Sequence, residues 1–127
     1  MPTVLVVDDF SNDRLLAGGL FEKQPDWTVR YASDGKEALF AIEQQMPDVV
    51  VTDMVMPEMG GRELAQEVAA RQEDIRVLYM SGYASSDVAR DLVDSGMDLI
   101  EKPFQPRALL RRVAEALDRG AEHAEEA

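Results

Sequence analysis

A chain of 127 residues, 46% hydrophobic and 30% charged, has the size and balance of one folded domain, which excludes a disordered segment and a pair of ordinary domains. The absence of cysteine excludes disulfides, thiolate metal sites and cysteine nucleophiles, and fits a reducing cytoplasm. No apolar run approaches the roughly 20 residues that cross a bilayer, Met1-Pro2-Thr3 carries no basic leader, and a net charge of -12 repels nucleic-acid phosphates; membrane insertion, export and direct nucleic-acid binding are not expected.

In chain order, Thr3 to Val7 is an unbroken apolar, β-branched run bounded by Asp8-Asp9, which predicts a strand buried on both faces. Ser11 or Asn12 is positioned to cap a helix whose apolar residues Leu15, Leu16, Leu20 and Phe21 fall at helical spacing, with Pro25 beyond its end. Trp27 to Ala32 alternates as a second strand, and Ser33-Asp34-Gly35 punctuates. A helix is expected from Lys36 to Gln45 with Ala38, Leu39 and Ile42 on one face, stopped by Pro47. Asp48 to Thr52 is the next apolar strand, followed by a loop from Pro57 to Gly61 and a helix from Arg62 to Arg71. Ile75 to Met80 is expected as the fourth strand and Ser86 to Asp94 as the fourth helix, closed by Gly96. Met97 to Ile100 is the short fifth strand, and Pro106 opens a fifth helix reaching about Asp118. Residues 1–119 are read as the domain and residues 120–127 as an acidic flexible tail, with His123 a solvated bystander. Arg107, Arg111, Arg112 and Arg119 alternate with Glu115 and Asp118, the pattern of a solvated helix face; a basic docking face for an acidic partner is the other reading.

Five strands alternating with five helices predict an α/β three-layer sandwich, a parallel sheet covered on both faces in the doubly wound, flavodoxin-like manner. Ligands in such sheets bind outside the carboxyl ends of the strands. Those ends carry Asp8 and Asp9 after the first strand, Asp53 after the third, Ser81 after the fourth and Lys102 after the fifth. Three carboxylates on one edge repel, which calls for a hard divalent cation, and magnesium fits because it takes oxygen ligands and keeps several waters. The expected ligands are Asp8, Asp9, Asp53 and the backbone carbonyl of Met54. Lys102 can pair with Asp53 and then with phosphoryl oxygens, and Ser81 can donate a hydroxyl hydrogen bond to the same group. A carboxylate flanked by metal and ammonium is a nucleophile for phosphorus, and Asp53, standing alone after its strand, is the candidate. Taken singly, Asp8, Asp9 and Ser81 also read as helix caps and Lys102 as a surface lysine.

At these residues the chain resembles the receiver domains of two-component response regulators, from Thr3 to about Asp118. The likeness rests on Val6-Val7-Asp8-Asp9, Asp53-Met54-Val55-Met56-Pro57-Glu58-Met59-Gly60-Gly61, Met80-Ser81-Gly82-Tyr83 and Glu101-Lys102-Pro103-Phe104. The stretches Met80 to Tyr83 and Glu101 to Phe104 are more like receivers fused to hybrid sensor histidine kinases than like those of transcription factors. The resemblance implies a (βα)5 fold with strand order 2-1-3-4-5, and a phosphoryl group supplied by a sensor histidine kinase or histidine phosphotransfer protein. It also implies that the receiver catalyses only its own phosphorylation and dephosphorylation. Movement of Ser81 toward the phosphoryl group would then repack the face of the fourth helix, fifth strand and fifth helix, where a downstream partner binds. Leu99 stands where receivers usually carry an aromatic switch residue, and Tyr83 either gates the site or packs on the fourth helix. With no output domain in the sequence, output is expected through binding. Two other readings remain open: a pseudo-receiver that binds without phosphorylation, and an aspartate-nucleophile phosphatase, whose second Asp is replaced here by Val55.

Overall fold

In the computed structural model, which describes residues 2–54, 56, 58–71, 75–81, 98–101 and 105–126, the elements follow the expected alternation. They are β1 (Thr3–Val7), α1 (Ser11–Glu22), β2 (Thr28–Ala32), α2 (Gly35–Gln44), β3 (Val49–Asp53), α3 (Gly61–Arg71), β4 (Arg76–Ser81), β5 (Asp98–Glu101) and a C-terminal helix (Pro106–Glu126). The strands form one parallel sheet in the order β2-β1-β3-β4-β5. That order, with helices between the strands, is the flavodoxin-like architecture. The expected helix from Ser86 to Asp94 lies outside the described residues.

Every residue of β1 and β3 is buried. Because side chains alternate along a strand, Val4 and Val6 join Val49 and Val51 in one core with Ala17 and Phe21 of α1 and Leu109 and Val113 of the C-terminal helix. Leu5, Val7 and Val50 point the other way, into a second core with Ala38 and Ile42 of α2 and Leu64 and Val68 of α3. Both faces of the central strands are thus covered, which is why they read as continuous apolar runs rather than alternating ones.

Three local expectations need correction. Neither Ser11 nor Asn12 caps α1: Phe10 holds the cap position and makes no side-chain cap bond, so Ser11 is already helical. Leu15 and Leu16 are 61% and 62% exposed, because α1 turns Ala17, Gly18 and Phe21 to the sheet instead. The reason is Tyr31 of β2, whose ring lies so close over Gly18 that a Cβ there would stand 2.1 Å from its Cε1; the close approach fixes which face of α1 meets the sheet. The C-terminal helix, finally, runs past Asp118 to Glu126.

Smaller differences have plain causes. Asp34 accepts from the Glu37 N–H at 2.7 Å while Glu37 reaches back to the Ser33 N–H and hydroxyl, so α2 begins at Gly35. Trp27 precedes β2 and packs against Phe21 with the rings tilted at 49°, centroids 5.9 Å apart. Among the described residues no helix is long and apolar enough to cross a membrane.

Candidate functional site

The parallel register brings the acidic residues together. Val7 pairs with Thr52 across β1 and β3, so the residues that follow, Asp8 and Asp53, stand side by side at the carboxyl edge. Both are buried, and Asp53 is the last residue of β3 rather than the first beyond it. One carboxylate oxygen from each of Asp8, Asp9 and Asp53 lies within 4.8 Å of the others.

Backbone contacts fix the acid pair. The Asp8 N–H donates to the Ala32 carbonyl at 3.2 Å, and its carboxylate accepts from the Phe10 N–H at 3.0 Å, closing the turn between β1 and α1. Arg14, one turn into α1, donates to the Asp8 carbonyl at 2.9 Å. Neither Asp8 nor Asp9 therefore serves as the cap of α1, whose cap position belongs to Phe10. Asp9 Oδ1 is buried and has no hydrogen-bond partner among the described residues. That oxygen, beside two more carboxylates, lacks the donor that a buried polar atom ordinarily finds. A hard divalent cation answers both the repulsion and the orphaned oxygen, so the residues present fit magnesium.

The loop from β3 to α3 is held at several points. The Met54 N–H donates to the Met80 carbonyl at 3.1 Å, and the Met54 carbonyl accepts from the Gly61 N–H at 2.9 Å. A Met54 carbonyl serving a cation would thus use its second lone pair. Glu58 takes a left-handed φ of 66°, and its carboxylate lies 3.3 Å from the Lys36 ammonium on α2. Both of those side chains are exposed, so the pair adds little stability.

Asp53 pairs with Met80 across β3 and β4, so Ser81 ends β4 one step beyond the acid, in register with Glu101. Lys102 and Tyr83 lie outside the described residues. Leu99 is half-buried and sits across from Tyr79, packed with Met54 in a small cluster of its own. Burial pushes the Tyr79 phenol above its ordinary range, with the charge of Arg62 pulling it partly back. This cluster links the residue after Asp53 to the strand that carries Leu99.

The sequence reading did not single out Phe10, Arg14 or Gly61 as parts of the site. The first two act through a backbone N–H and a carbonyl contact, which residue type does not announce. The Gly60-Gly61 pair directly before a helix was the available signal for the third.

Comparison with known proteins agrees with this geometry. The family model described as "Response regulator receiver domain" matches residues 4–114. Among curated relatives, the sensor kinase CckA of Brucella abortus (strain 2308) is 38% identical over 92% of this chain, which spans 13% of that protein. The chemotaxis protein CheY of Thermotoga maritima is 30% identical, covering 91% of this chain and 94% of its own. A CheY-like receiver domain structure from Methanospirillum hungatei JF-1 superposes with a TM-score of 0.86 at 27% identity, covering 97% of this chain and 98% of that one. A parallel sheet that gathers three aspartates at its carboxyl edge, matched along nearly its whole length, places the chain in the response regulator receiver domain family of two-component signalling.

Proposed function

We propose that this domain accepts a phosphoryl group on Asp53 from a phosphohistidine of a sensor histidine kinase or histidine phosphotransfer protein, and that the modified form alters partner binding. The observation that carries the reading is the meeting of Asp8, Asp9 and Asp53 within 4.8 Å, with Asp9 Oδ1 buried and without a hydrogen-bond partner among the described residues. Asp8, Asp9, Asp53 and the Met54 carbonyl would hold magnesium, which when bound supplies positive charge against the phosphoryl oxygens. An Asp53 carboxylate oxygen forms the new bond to phosphorus as the bond to the donor nitrogen breaks, and the imidazole leaves with that electron pair. Lys102 neutralises the phosphoryl oxygens and Ser81 donates its hydroxyl hydrogen bond to them. Water later cleaves the acyl phosphate, so the domain acts on itself and turns over no separate substrate.

Movement of Ser81, with Leu99 and Tyr83 as the neighbouring switch positions, would repack the face of the fourth helix, β5 and the C-terminal helix for a downstream protein. The receiver unit is read as residues 1–119 with residues 120–127 an acidic extension, supported by the family match ending at residue 114. A cytoplasmic setting is where a cysteine-free signalling domain of this kind would work.

The test is intact mass after incubation with acetyl phosphate and magnesium. One phosphoryl group is expected on the native chain and none on Asp53→Asn. Unchanged mass of the native chain overturns the reading in favour of a pseudo-receiver, and repeated turnover of phosphoesters overturns it in favour of a phosphatase.

A further inference from the structure

The tightest backbone approach at the site lies behind Asp53. A Cβ added to Gly61 would stand 2.5 Å from the Asp53 carbonyl oxygen, 3.1 Å from the Met54 Cα and 3.3 Å from the Asp53 carbonyl carbon. A Cβ on Gly60 would stand 3.0 Å from the Met54 carbonyl oxygen. All of these neighbours are main chain, which cannot turn aside as a side-chain tip does. Gly61 is also the first residue of α3, and its N–H donates to the Met54 carbonyl at 2.9 Å. The first turn of α3 thus rests directly on the two peptides that carry and follow Asp53. Leu64 and Val68 seat the rest of that helix in the core. A side chain at the contact would therefore press the first turn of α3 and the end of β3 apart, and the contact reaches the Asp53 peptide itself.

We propose that the Gly60-Gly61 pair positions the phosphoacceptor: by letting α3 abut the Asp53-Met54 backbone with nothing between, it sets where the Asp53 carboxylate stands relative to Asp8 and Asp9. The proposal rests on Asp53 being the acceptor. Asp8 is held in the turn after β1 by its own bonds to Phe10, Arg14 and Ala32, and Asp9 follows it in that turn, so a push from α3 displaces Asp53 without carrying them along. The gap between the carboxylates changes, and with it both cation binding and attack on phosphorus.

The experiment compares native protein with Gly61→Ala, Gly60→Ala and Gly19→Ala, the last a control on α1 where an added Cβ meets nothing within 4 Å. Magnesium affinity is measured by calorimetric titration, and phosphoryl uptake from acetyl phosphate at saturating magnesium by intact mass, both well below each variant's melting temperature. Gly61→Ala is expected to slow uptake by at least about tenfold, since misplacement of about 1 Å at a reacting group costs up to about a hundredfold, and to weaken magnesium binding severalfold. Gly60→Ala moves both in the same direction by less, and Gly19→Ala moves neither. A purely structural role would lower the melting temperature and leave uptake and magnesium affinity of the folded protein unchanged; that result overturns the proposal. Should Gly61→Ala not fold, Gly60→Ala decides: native uptake and affinity overturn the proposal, and a loss in both supports it. Failure of native protein to take up a phosphoryl group would instead sink the acceptor reading, and magnesium affinity alone would then still report whether the glycines place Asp53.

Discussion

Removing one of the three crowded carboxylates should stabilise the metal-free fold. Asp53 shares its site with Asp8 and Asp9, their oxygens within 4.8 Å. At that separation each pair of like charges repels by ~3.5 kcal/mol at an effective dielectric of about 20, and by ~0.9 kcal/mol in bulk water. Asp53 has two such neighbours, Asp9 is in part open to solvent, which screens its share, and Asp8 and Asp53 each make further interactions. A net gain of ~1–3 kcal/mol for Asp53→Asn without metal is the resulting expectation. At this chain length that raises the melting temperature by roughly 3–10 °C. Magnesium should reverse the comparison: at about a hundredfold excess over its dissociation constant it adds ~2.7 kcal/mol to the native protein, and less to a variant with one anionic ligand gone. Scanning calorimetry with chelator and then with magnesium reads both effects. A metal-free Asp53→Asn that melts at or below the native protein would refute the claim that these carboxylates repel in the absence of a cation.

Adjacent glycines of α1 should respond oppositely to alanine. Gly18→Ala drives a Cβ into the Tyr31 ring and should cost about 1–3 kcal/mol, whereas Gly19→Ala enters open space and should gain about 0.5–1 kcal/mol; denaturant unfolding of the two variants checks the contrast. Burial, then the hydrogen bond from the Tyr31 hydroxyl to Glu22 at 2.6 Å, then the Glu22 charge, all raise the Tyr31 pKa above its ordinary 10.0. Because the folded value is the higher one, this contribution is complete below the unfolded value of 10.0 and is lost as pH rises from there through the folded value. Alkaline melting curves should therefore fall more steeply for native protein than for Tyr31→Phe, and parallel curves would contradict the assignment. Trp27 lies before β2, whose first residue pairs with Thr3 at the amino end of β1, the rim opposite Asp53. Magnesium should leave its fluorescence nearly unchanged, and a large saturable change would contradict that placement.

The amino-acid pattern by itself determined the sheet and its chemistry-bearing edge. Val4 to Val7 and Val49 to Val51 are apolar at every position because parallel strands are covered on both faces, while Asp8 and Asp9 follow the end of β1 and Asp53 is the last residue of β3. That much is local and leaves a mark on residue type. The facing of α1 was not local. Leu15 and Leu16 have the spacing of a buried face, yet Ala17 and Phe21 pack into the core and Gly18 meets Tyr31, which leaves the two leucines outward. The seating of α3 on the Asp53 peptide was likewise settled by tertiary contact, since a glycine before a helix reads as a turn whether or not another backbone passes 2.5 Å from where its side chain would be. Periodicity reports how far a residue tends to be from water, whereas the choice among apolar faces and the depth of a carboxylate depend on which atoms arrive opposite, and those come from elsewhere in the chain.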